Sequence, residues 1–244
     1  MKQQWIEQIK KKASLLEIDE KPAELLITEQ QAKQLYQYME LLLHWNQKMN
    51  LTALTEPSEI MTKHFLDSAA GKGFLSPGRV ADIGTGAGFP GVVLKILEPE
   101  RPFILMDALQ KRLNFLNEVC EAMKLTQVEI IHERAEDAGQ KQIYRQQYDT
   151  AVSRAVAPMP VLLEYCIPLL KTGGVFLAYK GPGLREELEQ SEKALSILGC
   201  QVEGIHSVRV QGEDWRHWIA VIRKVKPTHP LYPRRQAKIK KEPL

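Results

Sequence analysis

The spacing of apolar residues predicts two long helices near the start of the chain. After Thr28 the apolar residues recur at intervals of three and four, which is the spacing of one helical face. Thr28 followed by Gln31 has the pattern of a capping box, so this helix is expected to begin just after Thr28. The stretch "SEIMTKHFLDSAAGKGF" predicts a second helix, which the turn "LSPG" ends. We therefore expect an N-terminal helical cap over residues 1–75.

From Arg79 onward the pattern changes to short apolar runs that alternate with helical segments. The runs are "RVADI", "FILMD", "VEIIH", "YDTAVS" and "VFLAYK". Nearly continuous apolar strands with helices between them indicate a parallel sheet that is buried on both faces. After the helix "LREELEQSEKALSILG" come "CQVEGIHSVRV" and "HWIAVIRKV", with only the polar stretch "QGEDWR" between them. Two strands joined without a helix are expected to pair antiparallel.

These patterns predict an α/β fold with a doubly wound, seven-stranded, mostly parallel sheet. An antiparallel strand pair ends the sheet, and the helical cap precedes it. The expected division is a cap over residues 1–75, a ligand-binding domain over 76–226 and a basic tail over 227–244.

Composition places the chain in an ordinary globular class. It has 244 residues, of which 44% are hydrophobic and 26% charged. It contains no apolar stretch of roughly 18 residues and no signal-peptide core, so we expect a cytoplasmic protein with no membrane contact. The three cysteines are scattered and odd in number, which favours a reducing compartment over a disulfide framework.

Charge is concentrated at the C-terminus. Residues 223–244 carry eight Lys or Arg and one acid, so they hold a net charge of +7 while the whole chain holds +3. A basic arm on a mildly acidic body is typical of polyanion binding, although a solubilising tail has the same composition. We expect the tail to supply affinity for RNA and none for a small-molecule ligand.

The stretch "VADIGTGAGFPG", residues 80–91, is the densest glycine cluster and follows a predicted strand. Gly84 and Gly86 can adopt backbone conformations closed to other residues, and Gly88 allows close helix packing. A strand, a glycine loop and a helix together present backbone N–H groups to a nucleotide-like ligand. Read from Gly84, the third position of the dinucleotide fingerprint is Phe89, which is too bulky for that role.

Asp107, at the end of "FILMD", can accept hydrogen bonds from both ribose hydroxyls. NAD and S-adenosylmethionine share that ribose, and Asp107 can also cap the next helix. The pattern from Asp82 to Gly88, D-x-G-x-G-x-G, resembles the first motif of class I S-adenosylmethionine-dependent methyltransferases. The antiparallel C-terminal pair and the lack of a second domain for a hydride acceptor also favour S-adenosylmethionine as the cofactor.

Several further motifs, in order, make the resemblance specific. They are "HWNQKMNLTALTE", "KHFLDS", "DIGTGAGFPG", "MDALQKRLNFL", "ERAED", "VSRAVAP" and "YPRR". Together they are similar to the RsmG (GidB) family, whose members methylate N7 of a guanine in 16S ribosomal RNA. The resemblance implies the same reaction here, with 16S rRNA or the small-subunit particle as partner. A small-molecule methyltransferase of the same fold and an NAD-dependent oxidoreductase are the alternatives.

The resemblance also implies the residues that bind the cofactor. They fall in the glycine loop, after the second predicted strand, in an Ala-Glu pair after the third and on an arginine after the fourth: Gly84, Gly86, Phe89, Asp107, Ala135, Glu136 and Arg154. Arg154 could hold a methionine carboxylate or an RNA phosphate, since its planar fork suits both. The alternative interpretations are a plain surface salt bridge for Arg154 and an acid in the first turn of a helix for Glu136.

The chemistry implied by the resemblance needs few side chains. Guanine N7 carries an in-plane lone pair and attacks a sulfonium methyl without losing a proton, so we expect no general base and no catalytic side chain. Alignment of N7, methyl and sulfur would then carry catalysis. His64 and Asp67 lie three apart on one helical face, and with no third ligand we expect a structural pair and no metal. The protein is expected to be a monomer.

One departure from the family pattern concerns the tail. "YPRR" is often followed by a Pro-Gly turn in that family, whereas here Gln236 and Ala237 follow it. The charge of the tail is unaffected, but its path does not follow from the resemblance.

Overall fold

A computed structural model describes residues 2–244 and shows an α/β fold around one mixed sheet of nine strands. The strands are β1 Leu16–Ile18, β2 Lys21–Pro22, β3 Val80–Ile83, β4 Phe103–Asp107, β5 Val128–His132, β6 Tyr148–Arg154, β7 Leu170–Lys180, β8 Cys200–Val210 and β9 Arg216–Lys224. The α-helices are α1 Lys2–Ala13, α2 Glu29–Asn46, α3 Pro57–Glu59, α4 Asp67–Ala69, α5 Gly91–Leu97, α6 Gln110–Ala122, α7 Ala135–Ala138, α8 Met159–Cys166, α9 Leu184–Glu189, α10 Glu192–Leu198 and α11 Gln236–Lys241.

The sheet order is β2-β1-β8-β9-β7-β6-β3-β4-β5. Neighbours from β7 to β5 run parallel, whereas β9 pairs antiparallel with both β7 and β8. The predicted parallel sheet with an antiparallel C-terminal pair is therefore confirmed. The strand order reverses direction at β3, and ligands of doubly wound sheets bind beside such a point, outside the carboxyl ends of the strands.

The predicted strand number of seven is wrong by two. Asp19 and Glu20 adopt left-handed conformations that turn the chain between β1 and β2. β1 then pairs with β8, placing Leu16 opposite Val210, and extends the sheet at that edge. A strand of three residues is too short to produce an alternating pattern, so the helical interpretation of the N-terminal region missed it.

Side chains of the strands alternate between two buried layers. Val80, Phe103 and Leu105 face a core formed with α1, α2, α5 and α6. Ala81, Ile104 and Met106 face the opposite core, which includes residues of α8 and α10. This alternation along strands buried on both faces explains the continuous apolar runs in the sequence.

Of the two helices predicted in the N-terminal region, the first begins where predicted, whereas the second is not a regular α-helix. Thr28 and Gln31 form the expected capping box at the start of α2. The second predicted helix is composite: α3 continues as a π-helix over Ile60–Leu66, then as α4, then as a 3₁₀-helix over Ala70–Phe74. Single-turn π-helical insertions are frequent at functional sites. Among residues 2–244, no helix is both long and apolar enough to cross a bilayer.

Candidate active site

A cavity of about 1220 Å³ lies at the carboxyl ends of the parallel strands, beside the reversal point at β3. Loops that follow β3, β4, β5 and β6 form its floor, and the π-helical segment and the C-terminal segment form parts of its walls. The sequence-predicted site residues all line it: Gly84, Gly86, Phe89, Asp107, Ala135, Glu136 and Arg154. The structure therefore brings together groups that are up to 70 positions apart in the chain.

The glycine loop needs glycine for different reasons at different positions. A Cβ on Gly84 would lie 2.5 Å from Val156, and Gly84 has a φ of +68°. A Cβ on Gly86 would meet no protein atom nearer than 3.9 Å, although its φ is +58°. Gly86 thus keeps its backbone open toward the cavity, where a side chain would fill the space of a ligand.

Asp82 stabilises the glycine loop through hydrogen bonds from both ends of the loop. Its carboxylate accepts hydrogen bonds from the Thr85 hydroxyl at 2.7 Å and from the Gly91 N–H at 2.8 Å. Burial raises the pKa of Asp82 to about 7, and these two hydrogen bonds offset part of the rise. Asp82 opens the D-x-G-x-G-x-G pattern, but the pattern alone did not indicate this role for it.

Asp107 connects the end of β4 to the glycine loop. One oxygen accepts the N–H of Gly86 at 2.9 Å and the other accepts the N–H of Leu109, also at 2.9 Å. Arg112 donates to the same carboxylate at 3.3 Å. Asp107 lines the cavity and also fixes the backbone just before α6, but it does not cap that helix, because the N-cap residue is Leu109 and no side chain caps it.

Ala135 and Glu136 begin α7, directly after β5. The Glu136 side chain is 4% exposed and lines the cavity, yet its Oε1 atom has no hydrogen-bond partner. Arg134 is the nearest charged donor, at 4.0 Å. Burial raises the pKa of Glu136. Buried polar atoms are nearly always hydrogen-bonded, so this oxygen points to a donor that a ligand would bring.

Phe89 lies in an aromatic stack that the sequence did not reveal. Tyr38 stacks on it with ring centroids 5.3 Å apart, and His64 stacks on it at 4.5 Å. The Tyr38 hydroxyl also donates to the carbonyl of Ala87 in the glycine loop. Tyr38 is fully buried and continues the helical spacing of Leu35 and Leu42, which was the available signal for its role.

Arg154 joins the end of β6 to the π-helical segment. Its guanidinium donates to Asp67 at 2.7 Å and to the carbonyl of Lys63 at 3.2 Å, and it lies 3.1 Å from Nδ1 of His64. It also lies over the Phe89 ring, 4.9 Å from the centroid. The ion pair with Asp67 is buried, so Arg154 is not the plain surface salt bridge that the sequence left open.

The cluster around Arg154 fixes two titratable groups. Burial would raise the pKa of Asp67, but hydrogen bonds from His217 and Arg154 and their charges lower it below its usual value. Burial and the charge of Arg154 lower the pKa of His64 to about 4, and Nε2 of His64 lies 2.7 Å from the Thr52 hydroxyl. His64 and Asp67 are thus linked through Arg154, and both are held in one charge state at neutral pH.

Two groups of cavity residues were not foreseen from sequence. One group is Trp215 and His217, from the connection between β8 and β9 and the start of β9. The other group is Gln236, Lys240 and Pro243, from the segment expected to serve RNA alone. Neither position carries a spacing signal, because both depend on how distant segments fold back onto the sheet. In the described part of the chain, no group of three or more His, Cys, Asp or Glu side chains could hold a metal ion.

Comparison with known proteins identifies the family. The model of a family described as GidB, rRNA small subunit methyltransferase G, matches residues 31–217. The chain belongs to this family. A relative from Alkaliphilus oremlandii, named ribosomal RNA small subunit methyltransferase G, is 51% identical over 89% of this chain and 92% of its own length. A relative of the same name from Desulfitobacterium hafniense is 48% identical over 85% and 87% of the two chains.

Solved structures support the fold assignment. A branched-chain polyamine synthase from Thermus thermophilus superimposes with a TM-score of 0.55 at 11% identity, covering 79% of this chain and 64% of that one. TYW2 from M. jannaschii, solved in complex with AdoMet, superimposes with a TM-score of 0.50 at 14% identity, covering 64% and 72%. The predicted class I methyltransferase fold is confirmed.

Proposed function

We propose that the chain transfers a methyl group from S-adenosylmethionine to N7 of a guanine in 16S rRNA of the small ribosomal subunit. The observation that carries the proposal is the convergence of the glycine loop, Asp107, the Ala135–Glu136 pair and Arg154 on one cavity in a chain of this family. The relatives bear the name of small-subunit rRNA methyltransferases, which supports ribosomal RNA as the substrate class.

The residues present fit S-adenosylmethionine. The Asp107 carboxylate is an acceptor for ribose hydroxyls, and the space above Gly86 leaves its backbone accessible. Oε1 of Glu136 is an acceptor without a partner in the protein, and the exocyclic amine of adenine is a matching donor. When bound, the cofactor supplies an electrophilic methyl group on a sulfonium. The fit favours this cofactor over NAD, because Phe89 occupies the position where the dinucleotide fingerprint needs a small residue.

Methylation at N7 agrees with the state of the cavity side chains. Both nitrogens of His64 are engaged, one with Thr52 and the other beside Arg154, so the imidazole is not free to remove a proton. The N7 lone pair requires no such removal. The chain's contribution is then to position the guanine against the methyl group and to exclude water, which is worth on the order of 7–11 kcal/mol when well achieved.

Methylation at a pyrimidine carbon is disfavoured by the cysteines. Such transfer commonly uses a nucleophilic thiolate, and among the described residues that line the cavity there is no cysteine. Burial raises the pKa of Cys120 to about 11 and that of Cys200 to about 12, which keeps both thiols protonated. The stretch "SRAVAP", which begins with the last two residues of β6, also differs from the [DN]PP[YF] pocket common among enzymes that methylate exocyclic amines.

We further propose that the protein acts as a monomer in the cytoplasm, on 16S rRNA or on the small-subunit particle. The test uses radiolabelled S-adenosylmethionine with unmodified 16S rRNA, with small subunits and with a metabolite extract, each in a separate reaction. Label in the rRNA or the subunit supports the proposal. Label in the extract alone would favour a small-molecule methyltransferase, and tight binding of NADH in place of S-adenosylmethionine would favour an oxidoreductase.

A further inference from the structure

The C-terminal segment is fastened to the body of the protein rather than extended from it. Arg145 donates to the carbonyl of Thr228 at 2.9 Å and to the carbonyl of Tyr232 at 2.6 Å. These bonds fix the path of the chain after β9 and before the "YPRR" stretch. Residues 228–232 are thus hydrogen-bonded to the loop that follows α7.

A buried ion pair anchors the next residue of this segment. Glu164, on α8, is fully buried, and it receives three side-chain hydrogen bonds from Arg234, at 2.9, 3.2 and 2.7 Å, and one from the Arg234 backbone N–H at 2.7 Å. A two-pronged arginine–carboxylate pair fixes orientation as well as position. The positive charge of Arg234 is therefore neutralised by Glu164 within the protein.

The helix after this anchor has a buried face. Ile239 of α11 is fully buried in the same core layer as α8. The three lysines of the same short helix, Lys238, Lys240 and Lys241, remain exposed. Because α11 is held by both Ile239 and the preceding ion pair, it occupies one position on the body.

That position makes α11 part of the cavity wall. Gln236, Lys240 and Pro243 line the same cavity as the glycine loop and Asp107. Burial raises the pKa of Glu136, and the positive charges of Arg134 and Lys240 offset part of that rise. The buried Oε1 atom of Glu136 has no hydrogen-bond partner. The residues of α11 therefore line the same cavity as this unpaired acceptor.

We propose that α11, through Gln236 and Lys240, is a wall of the cofactor site, in the part of the cavity where Oε1 of Glu136 would accept a hydrogen bond from the amine of an adenine nucleoside. The inference rests on the proposed function, since it takes S-adenosylmethionine as the ligand. It gives the C-terminal segment a role in cofactor binding in addition to any contact with RNA. Removing α11 would expose the Glu136 carboxylate to water, which competes for the same acceptor.

The test compares S-adenosylhomocysteine binding by calorimetry, without RNA, for four proteins. They are the full chain, a chain ending at Arg235, Lys240→Ala and Lys241→Ala. The truncation keeps the Arg234–Glu164 anchor and removes α11. Lys241→Ala removes the same charge from the same helix at a position that does not line the cavity. Thermal unfolding of each variant checks that it is folded.

We expect the truncated chain to bind S-adenosylhomocysteine about tenfold more weakly, which corresponds to one lost hydrogen bond to a charged group. Lys240→Ala should weaken binding about three- to tenfold, and its KM for S-adenosylmethionine should rise while RNA affinity stays the same. Lys241→Ala should bind as the full chain does. Equal binding by the full and truncated chains would overturn this inference and leave the proposed function standing. No binding by the full chain would overturn the cofactor assignment and this inference with it.

Discussion

Arg154 donates a hydrogen bond to the carboxylate of Asp67 at 2.7 Å, and this pair joins the end of β6 to the start of α4. Asp67 is fully buried and Arg154 nearly so. The pair therefore fixes the N-terminal segment beside the glycine loop, whose Phe89 ring lies under the Arg154 guanidinium at 4.9 Å. A cavity that is built from two distant parts of the chain depends on such a connection.

Asp67→Ala should lower the free energy of unfolding by about 3–5 kcal/mol, because it leaves the buried Arg154 guanidinium without its partner. Urea denaturation measures the change. His217→Ala is the control, since His217 contacts the other oxygen of Asp67 at 3.2 Å but is partly exposed. The control should lose much less stability. A loss below about 1 kcal/mol for Asp67→Ala would mean that the pair is not structural.

His64 makes folding pH-dependent in a defined direction. Its pKa is about 4 in the folded protein and near 6.5 when unfolded, so the unfolded chain binds the extra proton between these values. The stability that His64 contributes is fully present above pH 6.5 and falls as the pH drops toward 4, by up to about 3 kcal/mol. His64→Asn removes this dependence.

The measurement is urea denaturation of the wild type and His64→Asn at a series of pH values. The free energy of unfolding of the wild type should fall relative to that of His64→Asn as the pH drops from 7 to 4. Taking the difference between the two proteins cancels the effects of the other titratable groups. An NMR titration of the His64 imidazole with a midpoint near its ordinary value would contradict the buried, neutral state.

Asp107→Ala should weaken S-adenosylhomocysteine binding by about 1–3 kcal/mol, because the ribose hydroxyls lose a charged acceptor and Gly86 loses its hydrogen bond. Calorimetry measures it. Asp107→Asn keeps an acceptor for the Leu109 N–H and should show a smaller loss. If both variants bound the ligand as the wild type does, Asp107 would serve only to hold the backbone of Gly86 and Leu109.

The basic tail should contribute fewer phosphate contacts than its charge suggests. Arg234 is paired with Glu164, and Lys240 is exposed but lines the cofactor cavity. The exposed residues that do not line that cavity, and are therefore expected to contact RNA, are Arg235, Lys238 and Lys241. Replacing these three with alanine should flatten the salt dependence of RNA binding by about 2–3 log units per log unit of salt. Filter binding at several salt concentrations measures the slope.

The matched control for that triple variant replaces Lys2, Lys11 and Lys21, exposed residues of the N-terminal region, and removes the same charge. The control should keep the wild-type slope. An unchanged slope in the tail variant would place the RNA surface elsewhere on the protein.

Sequence patterns predicted the elements whose signals are local. The strands from β3 to β9 lie where their apolar runs predicted, and Thr28 caps α2 as its spacing with Gln31 indicated. The β1–β2 hairpin was missed because three residues carry no periodic signal. The position of each site residue at a strand end followed from the rule that parallel strands end at one edge.

Other features depend on contacts between distant residues and have no local signal. The partner of Arg154 could not be read from its neighbours, since Asp67 lies 87 positions away. The placement of α11 in the cavity wall likewise depends on Glu164, which lies 70 positions before Arg234. In the sequence Glu164 is one acid among apolar residues, and only burial shows that it needs a partner.

The site of methylation tests the central claim most directly. Unmodified 16S rRNA would be incubated with the protein and S-adenosylmethionine, then treated with borohydride and aniline, which cleave RNA at 7-methylguanosine. We predict cleavage at a guanosine, in an amount that matches the methyl groups incorporated, and none when the protein is omitted. Incorporation of methyl groups without cleavage would contradict the assignment of guanine N7 as the acceptor.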